Sequence, residues 1–240
     1  MFSNLYHTII YYPLLNLLVF FYNILPGHDM GIVIIVVTVV IRLLLAPSFH
    51  KSLKSQKAMN DLQPKLAQLR QQHKGNKEAE AKAMMELYKE HKINPFSSCL
   101  PLLLQLPILI GLYQVFNAAL GHNEITGLYN FVKAPENISP YFLGLVDLSK
   151  PSWIFGVIAG ASQFWQSKMM LAKASPSDDP TAKMMQAQTT YILPLLSVFI
   201  ALKLPAGLPL YWIVTTLFAI GQQYYIIRKQ KTEVIVVDSK

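Results

Sequence analysis

One cysteine, Cys99, stands in 240 residues. No disulfide can close within the chain, and the apolar run around Cys99 fits packing rather than redox chemistry. Charge is scarce as well: 14% of residues are Asp, Glu, Lys or Arg and 52% are apolar, against about 25% charged in soluble domains. That balance belongs to a polytopic membrane protein. Acidic residues are the rarer sign, 13 against 21 basic. The apolar runs 31–47, 96–119, 153–171, 185–204 and 208–227 hold no Asp, Glu or His at all. Intramembrane carboxylates and histidines usually build proton relays, so their lack in these runs speaks against a proton-coupled carrier. There is no HExxH zinc motif, and no histidine in these runs to activate Ser162 or Ser197 as a nucleophile. The expectation is a protein that is not an enzyme and uses no metal or cofactor.

What is present is one misplaced cation. The run GIVIIVVTVVIRLLLAP, Gly31 to Pro47, is interrupted by Arg42. A guanidinium at mid-membrane costs roughly 2.5–3.5 kcal/mol on insertion scales, which makes it a functional candidate. The alternative is a snorkelling anchor, because Pro47 lies only five residues on, about 7.5 Å of helix rise. Thr38 sits one turn before Arg42 on the same helix face. Other polar residues fall on other runs: Gln163 and Gln166, Gln188, then Thr215 and Thr216. Their convergence would form a wet recess, where the backbone of a polar peptide meets water and donors instead of hydrocarbon. Gln105, Gln114 and Asn117 read as interhelical hydrogen-bonding groups.

Charge placement orders the chain. Ten Lys and Arg residues between Lys51 and Lys92, and Arg228, Lys229, Lys231 and Lys240 at the end, mark the cytoplasmic side. Residues 1–28, rich in tyrosine and asparagine, suit an amphipathic helix at the outer interface, with a sixth span as the alternative. The first span is 29–47. A basic helical hairpin follows at 48–95, where Met59, Leu62, Leu66 and Leu69, then Ala79, Ala83 and Leu87, recur at helical spacing around the turn at Gly75 and Asn76. The second span is 96–119, an extracytoplasmic loop 120–151, the third span 152–171 and a cytoplasmic loop 172–184. The fourth span, 185–204, and the fifth, 205–227, are joined by a tight LPAGLP turn, and a basic tail closes the chain at 228–240. Lys203 reads as a snorkelling anchor. The fold class is thus an all-α polytopic membrane protein of five spans with a cytoplasmic helical hairpin, N-terminus outside and C-terminus inside. No inverted repeat of the kind found in many secondary transporters is present.

The segments IRLLLAP, KSQKAMNDLQPKLAQLR, LYKEHKINPFSSCLPLLLQLPILIGLY, FWQSKMM and LPAGLPLYWIV, in that order, closely resemble the YidC/Oxa/Alb family of membrane protein insertases. The resemblance implies a five-helix insertase core in the plasma membrane and a groove open to cytoplasm and lipid but closed outward. It implies insertion of nascent membrane proteins, alone or with the Sec translocon, and ribosome contact through the basic hairpin and tail. It carries no DNA partner and fits a chain working as a monomer. Arg42 takes the place of the family's groove arginine, Gln166 that of its groove glutamine, and Trp212 its aromatic position on the fifth span. Ser97 and Ser98 stand where the family often has two glycines. With no large outer domain and no lipid-acceptor cysteine, the expectation is a minimal bacterial form. The expected groove residues are Arg42, Thr38, Gln166, Trp212, Gln163, Gln188 and Thr215. Two competing classes remain, an anion transporter using Arg42 and a passive assembly factor.

Overall fold

A computed structural model describes residues 2–94, 100–120, 125–171 and 180–238. Cys99, Ser97, Ser98, the start of the expected second span at Phe96 and most of the expected loop 172–184 lie outside the described residues. The chain forms two compact units. The first comprises Met1–Leu44, Leu102–Ser162 and Leu195–Phe218, the second Leu45–Pro101, Gln163–Pro194 and Ala219–Lys240.

In the first unit, α1 (Phe2–Tyr6), a π-helical turn at His7–Tyr11 and α2 (Tyr12–Ile24) form one helical stretch, followed by α3, which begins at Met30. The α3 run of Ile and Val is the composition of a strand in water. In lipid a lone strand leaves its backbone groups unpaired, whereas a helix pairs them internally, so the run is helical. Asp29 starts it, its Oδ1 accepting from Ile32 N at 3.0 Å, where the positive end of the helix dipole favours a carboxylate. Leu15, Leu18, Val19 and Tyr22 of α2 are buried with Met30, Val33, Ile34 and Val37 of α3. Leu112, Val115 and Phe116 of α6 (Leu100–Leu120) and Leu208 and Tyr211 of α10 (Gly207–Asp238) complete that core.

The 125–151 loop is sewn onto this core by polar side chains of α2. Asn16 Nδ2 donates to Gly127 O and its Oδ1 accepts from Tyr129 N; Tyr22 Oη accepts from Ser139 N at 2.8 Å and Asn23 Nδ2 donates to Lys133 O at 2.8 Å. The loop contains two short strands, β1 (Tyr141–Phe142) and β2 (Val146–Asp147), antiparallel with Tyr141 opposite Asp147 and Phe142 opposite Val146. This four-residue ladder is the only strand pairing among the described residues of a mostly helical chain, which fits the expected all-α membrane class. At its base Ala206 N donates to Lys150 O and Gly207 N to Leu148 O, which fixes the turn before α10.

The second unit holds α4 (Gln63–Gln72) and α5 (Lys77–Glu90), the expected basic hairpin. Its core is Leu62, Leu66 and Tyr88, lined by Met59, Met84, Leu87 and Ile93. Asn76 Oδ1 accepts from Ala79 N as the cap of α5, Gly75 turns the chain at φ +100°, and Arg70 Nε lies 3.6 Å from Glu80 Oε1. Burial pushes the Tyr88 hydroxyl above its ordinary value, with Arg70 pulling the other way. The unit also contains the end of α7 (Trp153–Leu171), then α8 (Pro180–Ala187), a second π turn at Gln188–Ile192 and the start of α9 (Leu193–Ala201).

Both π turns have the same cause. Each ends two residues before a proline, Pro13 or Pro194, whose ring has no N–H and crowds the carbonyl four residues back. The ladder widens, so that Tyr12 N reaches His7 O and Leu193 N reaches Gln188 O. Thr189 O, which an α-helix would commit to Leu193 N, accepts instead from Ser167 Oγ at 3.2 Å.

Helix limits differ from the expected spans at several points: α8 starts at Pro180 inside the expected loop, α9 ends at Ala201, and α10 runs past Ile227 through the expected tail to Asp238. α3 runs unbroken over Met30–Asp61 with Pro47 inside it, so the first span and the entry to the basic hairpin are one helix. Among the described residues, Asn4–Ile24, Met30–Asp61 and Leu103–Leu120 are long and apolar enough to cross a membrane, and Gln188–Ala201 is a shorter apolar helix.

Candidate functional site

Arg42 is 6% exposed, so its side chain turns into the first unit rather than out toward a headgroup layer. Arg42 Nη2 donates to Gln105 Oε1 at 3.2 Å, and Gln105 Nε2 donates in turn to Tyr211 Oη. Three helices, α3, α6 and α10, therefore meet through a polar chain inside an apolar core. Gln105, a neutral amide, orients the guanidinium. Tyr211 is buried and Gln105 half-buried, which raises the value of each bond by excluding competing water.

Thr38 is buried one turn before Arg42 and returns its hydroxyl to Ile34 O at 2.6 Å. Thr215 is buried one turn after Tyr211, and Trp212 is half-buried. These four expected residues, Arg42, Thr38, Trp212 and Thr215, belong to the first unit. Gln163, Gln166 and Gln188 belong to the second; the first two are half-buried and Gln188 is exposed. Ser162 donates to Ala159 O at 2.8 Å within its own helix, which is a helix-satisfying role. No group of three or more His, Cys, Asp or Glu able to hold a metal occurs among the described residues.

Sequence reasoning gave Gln105 an interhelical hydrogen-bonding role, which the structure bears out, but did not identify Arg42 and Tyr211 as its partners. The available signal was polarity: Gln105 is the one polar residue in PLLLQLPILI, and a lone amide in an apolar run needs a partner. Tyr211 lay beside the chosen Trp212.

A family model described as 60Kd inner membrane protein matches residues 20–233. Among curated relatives, the chain is similar to the membrane protein insertase YidC of Pelobacter propionicus, 36% identical over 221 residues that cover 91% of this chain and 38% of the relative. The protein of the same name in Geobacter sulfurreducens is 38% identical over 92% of this chain and 37% of its own length. That of Geotalea uraniireducens is 39% identical over 89% and 36%. The chain thus spans a little over a third of the length of these relatives.

Proposed function

The chain belongs to the 60Kd inner membrane protein family, and from that membership we propose that it inserts newly made membrane proteins into the bilayer, without covalent chemistry or a cofactor. The observation that carries the proposal is the buried Arg42 bonded to Gln105, which is itself bonded to Tyr211. A guanidinium fixed in a low-dielectric setting attracts an acidic substrate segment more strongly than one in water. Thr38, Thr215 and Trp212, in the same unit as Arg42, are the further substrate contacts of this reading; Gln163, Gln166 and Gln188, in the second unit, are polar substrate contacts of that unit. The substrate slides along apolar helix surface while its polar segment rests against the arginine.

The remaining arrangement follows from this role. Five helices span the inner membrane, with the N-terminus outside and the C-terminus in the cytoplasm; the excess of Lys and Arg between residues 51 and 92 supports that orientation. α1 and α2 lie along the outer interface, a reading supported by the tyrosines and asparagines among residues 1–28. The basic hairpin meets the ribosome, and the chain acts as a monomer, alone or beside the Sec translocon.

The test is insertion into proteoliposomes carrying the chain. Arg42→Ala is expected to reduce insertion of substrates with acidic translocated segments several-fold, and Arg42→Lys to retain most of it. Equal insertion by wild type and Arg42→Ala across several such substrates would overturn the charge role.

A further inference from the structure

The turn between β1 and β2 has the geometry of a tight hairpin but not the residues used for one in water. Leu143 and Gly144 have φ of +51° and +68°, and Leu145 N donates to Phe142 O at 3.0 Å, which makes residues 142–145 a type I′ turn. Asn-Gly and Asp-Gly dominate such turns because both tolerate positive φ. Here the first position is a leucine, 59% exposed, and Leu145 is 83% exposed. Tyr141 is exposed too. From Tyr141 to Val146 the chain reads YFLGLV, and charge returns only at Asp147, paired with Lys150 at 2.9 Å. An apolar tip on an aromatic and charged base is the composition of a segment at the membrane boundary.

Its position agrees. The Phe142 ring fills the space a Cβ on Gly31 would need, Leu143 N donates to Asp29 Oδ2, and the Phe142 ring is 6.2 Å from that of Phe155. The hairpin is therefore seated on the first turns of α3 and α7. The apolar run of α3 from Gly31 to Ala46 rises roughly 24 Å, short of the about 30 Å hydrocarbon layer. Centred in that layer, the run would end about 3 Å short of each boundary, which puts Gly31 and the hairpin seated on it close to the outer one. Exposed Trp153, Ile154, Val157 and Ile158 continue the apolar surface along α7. Two N–H groups of the turn, those of Leu143 and Leu145, already have acceptors, as entry into lipid requires.

We propose that the Tyr141–Asp147 hairpin dips Leu143 and Leu145 into the bilayer at the headgroup and acyl boundary, beside the ends of α3 and α7. This rests on α7 being a spanning helix. The test places a nitroxide at Leu143→Cys and Leu145→Cys in a Cys99→Ser background, in phosphatidylethanolamine and phosphatidylglycerol vesicles. Glu136→Cys serves as the water reference and Val157→Cys as the lipid reference. Each site is exposed, so the labels leave the core intact. The ratio of oxygen to nickel-chelate collision is expected to be several-fold higher at Leu143 and Leu145 than at Glu136, approaching that at Val157. A ratio at Leu145 equal to that at Glu136, with Val157 still in lipid, overturns the hairpin proposal alone. A water-like ratio at both Leu145 and Val157 overturns the spanning reading of α7 as well.

Discussion

Gln105 accepts a hydrogen bond from Arg42 across 63 residues of sequence, at 3.2 Å. The bond is to an amide, which orients the guanidinium without itself adding an opposite charge. Gln105→Glu would keep the shape and supply a carboxylate, which binds a guanidinium more strongly. The expected result is a drop in insertion of acidic substrates toward the Arg42→Ala level, with no loss of melting temperature in detergent. Gln105→Leu removes the acceptor of a charged donor and is expected to cost about 1.5–3 kcal/mol of stability. Proteoliposome insertion and thermal denaturation measure the two effects separately. Undiminished insertion of acidic substrates by Gln105→Glu would show that the charge of Arg42 does not act on them.

Asn16 ties α2 to the loop through two bonds that no apolar residue replaces. It is 3% exposed, and it donates to Gly127 O at 3.1 Å while accepting from Tyr129 N at 2.6 Å. Asn16→Leu keeps the branched shape, with bulkier methyl groups, but strands both backbone groups, each at about 1–3 kcal/mol. A lower melting temperature and faster hydrogen exchange at the Tyr129 amide are expected. Asn16→Asp keeps the acceptor and should protect that amide better than leucine does. Unchanged exchange in Asn16→Leu would mean that the loop holds its place by apolar packing.

How far the sequence was legible follows from the range of each interaction. Arg42 stood out because one cation in an apolar run is a local anomaly, and the hairpin of α4 and α5 because helical periodicity is local too. The link from Gln105 to Tyr211 joins residues 106 apart and leaves no periodic trace. Tyr88 closes the α4 and α5 core but lies among charged residues in LYKEH, which hid it. Pro47 read as a helix end, yet α3 continues through it, since one missing N–H is tolerated where the neighbouring turns remain paired. The β1 and β2 hairpin escaped because Leu-Gly replaces the usual Asn-Gly signal.

Leu66 is 1% exposed and centres the small core of α4 and α5. Leu66→Ala is expected to cost about 2–5 kcal/mol there, which exceeds what three buried side chains spare. Hydrogen exchange should rise across 63–90 and stay unchanged over the first turns of α3, while Gln68→Ala, at an exposed position, should change neither. If Leu66→Ala leaves exchange in α4 and α5 as it was, the segment behaves as a solvated linker and not as a packed hairpin.

Asp147 is expected to set the pH response of the loop hairpin. The Ser149 hydroxyl, foremost, then Lys150 and the Ser149 amide hold its carboxyl below the ordinary 3.8, with burial opposing them. The same pair holds the Lys150 ammonium above the ordinary 10.5. A carboxylate whose folded value is depressed contributes stability above its unfolded value and loses it as pH falls through the folded one. The lysine's contribution is present below its unfolded value and is lost as pH rises through the raised one. The base of the hairpin is therefore expected to keep its exchange protection from about pH 5 to about pH 9 and to lose it on strong acidification. Asp29 also bonds the hairpin, through Leu143 N, so Asp147→Asn isolates the contribution. In that variant the acid-dependent loss at the Val146 and Leu148 amides should flatten, and an unchanged acid profile would assign the response to another carboxylate.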